Sequence, residues 1–149
     1  SMTALIKSVN KEAVIMFTVS PIRHLKDGFI ENTQSKAHLI SAIHSNISSQ
    51  SKSSGLYYFP SYEIMMDELR DYRFYAEDMM HPSSQAVEYV ITKFSACFMS
   101  EETRSRLQRM EPLLKFLAHR PIKINDAEWN IKIAEKQEQL EAMLRGFRA

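Results

Sequence analysis

Two short apolar runs, separated by a helical segment, set the main constraint on how this chain folds. They cover residues 13–19 (AVIMFTV) and residues 56–59 (LYYF), and prolines follow both. Their β-branched and aromatic content is typical of strands buried on both faces of a parallel sheet. A strand, a helix and a strand in this order predict parallel pairing with a right-handed crossover. Because two strands are too few for a stable open sheet, the pattern predicts part of a larger sheet.

Apolar periodicity predicts helices in most of the remaining chain. The helix between the two strands runs from Glu31 to about Ser49, and others cover residues 61–69, 83–98, 100–119 and 126–145. The first apolar stripe consists of Leu39, Ile40, Ile43 and Ile47. The face predicted for 83–98 consists of Val87, Val90, Ile91, Phe94 and Phe98, and that for 126–145 consists of Trp129, Ile133, Leu140 and Leu144. The predicted fold class is α/β, with a partial parallel sheet, flanking helices and a helical C-terminal tail.

Composition argues against several classes of function. The chain has 19 basic and 18 acidic residues and a formal net charge of +1, so neither nucleic acid nor an anionic membrane is an expected partner. No apolar run approaches the roughly 20 residues that a membrane-spanning helix needs. The three glycines cannot build a phosphate-binding loop or a dinucleotide fingerprint. No cofactor is therefore expected.

The single cysteine, Cys97, indicates a reducing compartment, and we expect the protein in the cytoplasm. It falls in an apolar helical stretch and is predicted to be a buried, unreactive thiol. The sequence contains neither an H-E-x-x-H motif nor a Cys/His cluster, so no metal site is expected.

Asp78 and His81, in the stretch 78–83 (DMMHPS), form the clearest chemical pattern. The surrounding residues 70–82 lack a clean period and are dense in charged and aromatic residues, which is typical of a functional loop. Within one turn the Asp78 carboxylate can accept the Nδ1–H of His81, which leaves Nε2 as a general base. Such a base could take a proton from a serine hydroxyl. The alternative is a loop histidine that a nearby carboxylate merely satisfies.

This motif, placed before a helix, resembles the last conserved block of the SGNH (GDSL-like) hydrolases. The wider sequence is closer to the bacterial GSCFA family. The matching stretches are residues 17–28, 31–32, 35–37, 58–78, 81–83 and 118–121, in the family's order. The resemblance implies the C-terminal half of an SGNH-like, flavodoxin-like domain in residues 1–121, followed by a helical extension in residues 122–149.

The sequence departs from the family in one informative respect. The Gly-Ser-Cys-Phe-Ala stretch that gives the family its name, and whose serine corresponds to the SGNH nucleophile, does not occur here. The resemblance therefore implies a hydrolase part that lacks its nucleophile and is inactive alone. Ser20 is an internal candidate, but no Gly-x-Ser-x-Gly elbow surrounds it.

The resemblance implies that His81 is the general base and that Asp78 orients it, for an ester or acyl substrate that is a small molecule or a glycan. Ligands gather beyond the carboxyl ends of strands in open α/β sheets, where Ser20, Arg23 and His24 lie. Arg23 could hold an anionic or carbonyl group, or could be solvated or ion-paired. The further candidates for substrate contact are Asn32 and Tyr75.

The alternative function is a non-catalytic interaction module. An incomplete sheet leaves strand edges and apolar faces that a partner can cover. The module would form a homo-oligomer or complement a separately encoded N-terminal half. The methionine pairs at 65–66 and 79–80 are either core residues or part of a binding groove.

Overall fold

The chain alternates strands and helices in its first half and is helical in its second. The computed structural model describes residues 2–49, 55–119 and 127–146. The elements are α1 (Met2–Val9), β1 (Ile15–Thr18), α2 (Phe29–Ser48), β2 (Leu56–Phe59), α3 (Ser61–Glu63), α4 (Ser84–Phe98), α5 (Glu101–Ala118) and α6 (Ala127–Arg145). A π-helical turn at Ile64–Leu69 continues α3, and a 3₁₀ turn at Tyr72–Phe74 lies within the predicted loop. Two compact units cover residues 1–94 and 95–149.

The sheet of the first unit consists of β1 and β2, which pair in parallel from Ile15 opposite Leu56 to Thr18 opposite Phe59. Helix α2 connects them, so the predicted α/β class with a parallel sheet is confirmed. The first strand is shorter than predicted. Val14 lies outside it and is 69% exposed, whereas Val19, just after it, is buried.

Helix α2 begins after Gly28, whose φ of 111° is a conformation that favours glycine. Its buried and half-buried face consists of Asn32, Lys36, Ile40, Ile43, Asn46 and Ile47. Three members of the predicted apolar stripe lie on this face. Leu39 does not, because it is exposed on another side of the helix. The most buried residue of this face is instead Lys36, which is only 4% exposed.

A small core of Met65, Phe74 and Ala86 joins the π-helical turn, the 3₁₀ turn and helix α4. Met66, Leu69 and Tyr75 pack against it. Met65 is therefore a core residue. In α4, Ala86 faces this core while Val87, Ile91 and Phe98 are exposed, so the predicted apolar face is wrong for these three positions.

The second unit contains α5 and α6, which run antiparallel. The rings of Phe116 and Trp129 lie 4.9 Å apart at one end, and Arg106 Nη1 donates to the Gly146 carbonyl at the other, at 2.7 Å. Ser100 accepts a hydrogen bond from the Thr103 N–H, as its predicted role as helix cap requires.

Three predictions for the C-terminal half need correction or fall outside the described residues. Cys97 was predicted to be buried and is exposed. In α6, Trp129, Ile133 and Leu140 are half-buried as predicted, but Leu144 is exposed and Met143 is half-buried instead. The predicted cap at Asp126 and the predicted boundary between residues 121 and 122 lie outside the described residues.

Ser61 joins the carboxyl ends of the two strands. It is 7% exposed, and its hydroxyl donates to the Val19 carbonyl at 2.8 Å. Because that proton is used, the 2.6 Å contact between Thr18 Oγ1 and Ser61 Oγ has Thr18 as its donor. The buried Ser61 hydroxyl therefore pairs with two groups at the end of β1, the Val19 carbonyl and the Thr18 hydroxyl.

We expect Ser61→Ala to lower the free energy of unfolding of the first unit by about 1–3 kcal/mol, because the Val19 carbonyl loses its buried donor. The control is Ser41→Ala, which removes an exposed hydroxyl and should change the same quantity by less than about 0.5 kcal/mol. Urea unfolding followed by near-UV circular dichroism in the tyrosine region reports mainly on the first unit. All six tyrosines lie between residues 57 and 89, and the single tryptophan lies in the second unit. Equal unfolding midpoints for the two variants would contradict this role of Ser61.

Candidate functional site

A closed backbone turn holds the Asp78–His81 segment. Tyr75 and Pro82 form an antiparallel bridge, and the Ala76 N–H donates to the His81 carbonyl at 2.8 Å. Within the turn, the Met79 N–H donates to the Ala76 carbonyl at 3.0 Å, and Met79 adopts a φ of 59°. Few non-glycine residues adopt a positive φ, so the surrounding hydrogen bonds must stabilise this conformation.

The Asp78 carboxylate uses its two oxygens for different contacts. Oδ1 accepts the backbone N–H groups of Met80 and His81, both at 2.9 Å. Oδ2 lies 2.6 Å from Nδ1 of the His81 ring. The contact between carboxylate and imidazole that the sequence predicts is therefore present. The backbone N–H of His81, that of Met80 and the His81 side chain, in this order, lower the pKa of Asp78 from 3.8 to about 2.

The His81 side chain is exposed, and no described residue is hydrogen-bonded to its other ring nitrogen, Nε2. The side chain of His81 is 56% exposed, and an ionised Asp78 favours a proton on Nδ1. The Nε2 lone pair is then available to a group that approaches from solvent or from another segment. This arrangement can accept a proton and stabilise the resulting imidazolium.

Arg23 joins the loop after β1 to the Asp78–His81 turn. Its backbone N–H donates to the Met80 carbonyl at 3.1 Å, and its Nη1 donates to the Met79 carbonyl at 3.3 Å. Its guanidinium lies 4.0 Å from the centre of the Tyr75 ring. Among the described residues, no carboxylate lies within ion-pair distance of Arg23. The structure thus brings two of the predicted binding residues, Arg23 and Tyr75, together.

Ser20, His24 and Asn32 lie in the same loop region but do not form one cluster of side chains. The Asn32 Oδ1 accepts the His24 backbone N–H at 2.9 Å, so Asn32 holds the loop against the first turn of α2. The Ser20 hydroxyl accepts the Ile22 N–H at 3.3 Å. Within the described residues, no hydrogen bond connects Ser20 to His81.

Two cavities lie beside this loop. One of about 230 Å³ is lined by Arg23, Tyr75 and residues of the segment 65–72. The other, of about 330 Å³, is lined by Arg23, Asn32, Lys36 and Tyr62 among others. Neither cavity includes Asp78, His81, Ser20 or His24 in its lining. The candidate base and the candidate binding residues are therefore separate features that Arg23 connects.

Lys36 is a residue of this region that sequence reasoning missed. Its ammonium donates to the Ser20 carbonyl at 2.7 Å, and burial lowers its pKa from 10.5. The available signal was its spacing, because Lys36 lies four residues before Ile40 on the helix face that packs inward. Because a lysine is normally expected to be exposed to solvent, its burial was not predicted.

The part of the chain that the structure describes shows neither a metal site nor a membrane-spanning helix. They contain no group of three or more His, Cys, Asp or Glu side chains arranged to hold a metal ion. None of their helices combines the length and the apolar content needed to cross a membrane.

Comparison with models of protein families relates the first part of the chain to a known family. The family model described as the GSCFA family matches residues 1–94, which is the extent of the first compact unit and includes Asp78 and His81. Searches of the curated proteins and of the solved structures find no match.

We expect Asp78 to remain largely ionised at pH 3.8, where an ordinary aspartate is half protonated, with a pKa of about 2. Because this pKa is lowered by folding, the stabilising contribution of the carboxylate is complete above the unfolded pKa and is lost as the pH falls towards 2. Titration of the side-chain carboxyl carbon by NMR measures the pKa directly. His81→Ala keeps both backbone donors, so the pKa of Asp78 should stay below 3.8 in that variant. A return to 3.8 would show that the imidazole, and not the backbone, governs it.

Proposed function

The chain belongs to the GSCFA family, and we propose that it supplies the Asp–His pair of an SGNH-like hydrolase that cleaves esters or acyl groups. The observation that supports this most is the 2.6 Å contact of Asp78 with Nδ1 of His81, on a ring whose other side is exposed. A general base needs this combination of a fixed tautomer and an accessible Nε2.

In the proposed reaction, His81 Nε2 takes the proton of a serine hydroxyl as its oxygen attacks the acyl carbon. Asp78 stabilises the imidazolium that forms, and His81 then returns the proton to the leaving alkoxide. Water, activated by the same base, hydrolyses the acyl-enzyme. The serine would come from a Gly-Ser-Cys-Phe-Ala segment outside these 149 residues, so the chain should be inactive alone.

The proposed substrate contacts lie in the loop after β1 and beside it. Arg23 and Tyr75 are the best placed, because they lie together beside the Asp78–His81 turn and line a common cavity. Asn32 lines the second cavity. Ser20 and His24 are exposed residues of the loop after β1. We propose a small-molecule or glycan ester as the substrate class.

The test is complementation with a polypeptide that carries the family's serine-containing N-terminal segment. Turnover of p-nitrophenyl acetate should be absent with the 149-residue chain alone and should appear in the mixture. His81→Ala should lower the reconstituted kcat/KM by at least about 10³-fold, because the serine loses its base. His38→Ala, an exposed histidine on α2, is the matched control and should retain full activity. Hydrolysis by the isolated chain that survives His81→Ala would refute the proposal.

A second candidate function, an interaction module, is favoured by the apolar surface of the first unit. Seven of its described aliphatic or phenylalanine side chains are more than half exposed. They are Met2, Leu5, Val9, Val14, Phe29, Ile30 and Ile91. A partner that covered part of this apolar surface would remove it from water, which is favourable. The partner would be a second copy of the chain or a separately encoded N-terminal half.

If a second copy is the partner, light scattering at micromolar concentration should give the mass of a dimer. The double variant Leu5→Lys with Val9→Lys should shift this equilibrium towards monomer, because burying two charges in an apolar contact is unfavourable. Gln34→Lys adds charge at an exposed site and should leave the dimer intact. A stable monomer for the unmodified chain would exclude self-association at this concentration.

A further inference from the structure

The cavity of about 330 Å³ between the loop after β1 and helix α2 has a positively charged lining. Two cationic side chains, Arg23 and Lys36, line it, and none of its lining residues is an aspartate or glutamate. Its volume lies at the lower end of the range of small-molecule sites, which is about 300–1,000 Å³. A positive concave surface of this size favours a small anion.

The buried ammonium of Lys36 is the strongest feature of this cavity. Lys36 is 4% exposed, and its hydrogen bond is to a neutral carbonyl, that of Ser20. An ammonium has three donors, and no carboxylate among the described residues lies within ion-pair distance of Lys36. A buried charge without a counterion is costly, and burial lowers its pKa accordingly. A bound anion would supply both the missing charge and the missing acceptors.

The first turn of α2 adds to the positive character. Phe29, Asn32 and Thr33 line the cavity at the N-terminal end of α2, where the backbone N–H groups that precede Asn32 have no partner within the helix and carry partial positive charge. Gly28 provides no side-chain cap for these groups. The Glu31 carboxylate occupies the space beside Gly28 and is not part of the cavity lining.

The remaining walls define the other part of the ligand. Ile22, Phe29, Met66 and Tyr72 give the cavity an apolar and aromatic side, and Phe29 is 70% exposed. We propose that this cavity binds a small organic carboxylate, with its charged end on Lys36 and its apolar body against Phe29 and Tyr72. The inference goes beyond the proposed hydrolase function and would hold whether or not His81 acts as a base.

The experiment is an NMR titration of the 149-residue chain with three probes: phenylacetate, its neutral analogue phenylacetamide, and acetate. Phenylacetate should shift the backbone amide signals of Thr33 and Tyr62 in a saturable way. Phenylacetamide should not, because it lacks the charge. Acetate should bind at least about tenfold more weakly, because it lacks the apolar body. Saturable shifts of equal size with phenylacetamide, or no shift with phenylacetate, would overturn the proposal.

Two variants test whether the charge of Lys36 holds the carboxylate of phenylacetate. Lys36→Met should weaken phenylacetate binding by at least about tenfold, because a charge-assisted hydrogen bond is lost. Lys26→Met removes the same charge from an exposed position of the loop and should leave the affinity unchanged. Unchanged affinity in folded Lys36→Met would overturn the role of Lys36. Since the native chain is titrated first, the proposal stays testable if that variant fails to fold. Binding is measured without turnover, so this result is independent of the complementation assay.

Discussion

Val19 and Ser20 lie beyond the last residue pair of the β1–β2 ladder, and side chains rather than the neighbouring strand satisfy their carbonyl groups. The buried hydroxyl of Ser61 donates to the Val19 carbonyl, and the ammonium of the buried Lys36 donates to the Ser20 carbonyl. These two hydrogen bonds fix the end of β1 to the start of α3 and to α2, respectively. The direction in which the chain leaves the strand is thereby determined, and with it the position of Arg23. Both candidate features of the first unit depend on that position.

The chemistry of the Asp78–His81 turn depends on the different partners of the two Asp78 carboxylate oxygens. Because Oδ1 is held by two backbone N–H groups, the carboxylate keeps its orientation whether or not the imidazole is present. Oδ2 is then a fixed acceptor to which the ring must turn. The order of the effects on the pKa of Asp78 agrees with this, since the backbone donors rank above the side chain. The ring is thus oriented by local backbone geometry and needs little support from the rest of the fold.

The sequence predicted what is local and failed where packing decides. The strand–helix–strand order, the Ser100 cap and the Asp78–His81 contact depend on residues a few positions apart, and all are present. Helical periodicity gave the spacing of apolar residues but not which side of the helix faces the core. In α4 the small Ala86 allows close approach to Met65 and Phe74, which turns Val87 and Ile91 outward. The burial of Lys36 depends on a carbonyl 16 residues away and could not be found from periodicity. The spacing of Asp78 and His81 predicted their contact and an available Nε2, whereas the assignment of this pair to a hydrolase came from family resemblance.

Arg23 and Lys36 line the same cavity, but their present contacts make them unequal partners for an anion. The guanidinium of Arg23 already donates to the Met79 carbonyl and stacks on Tyr75. If a ligand drew it away, the link between the loop after β1 and the Asp78–His81 turn would be weakened. Lys36 has one neutral acceptor and is held in place by that contact, so an anion adds to its interactions without breaking one. For an anion in this shared cavity, Lys36 is therefore the better anchor. A substrate of the proposed hydrolase would contact Arg23 in its present position, beside Tyr75.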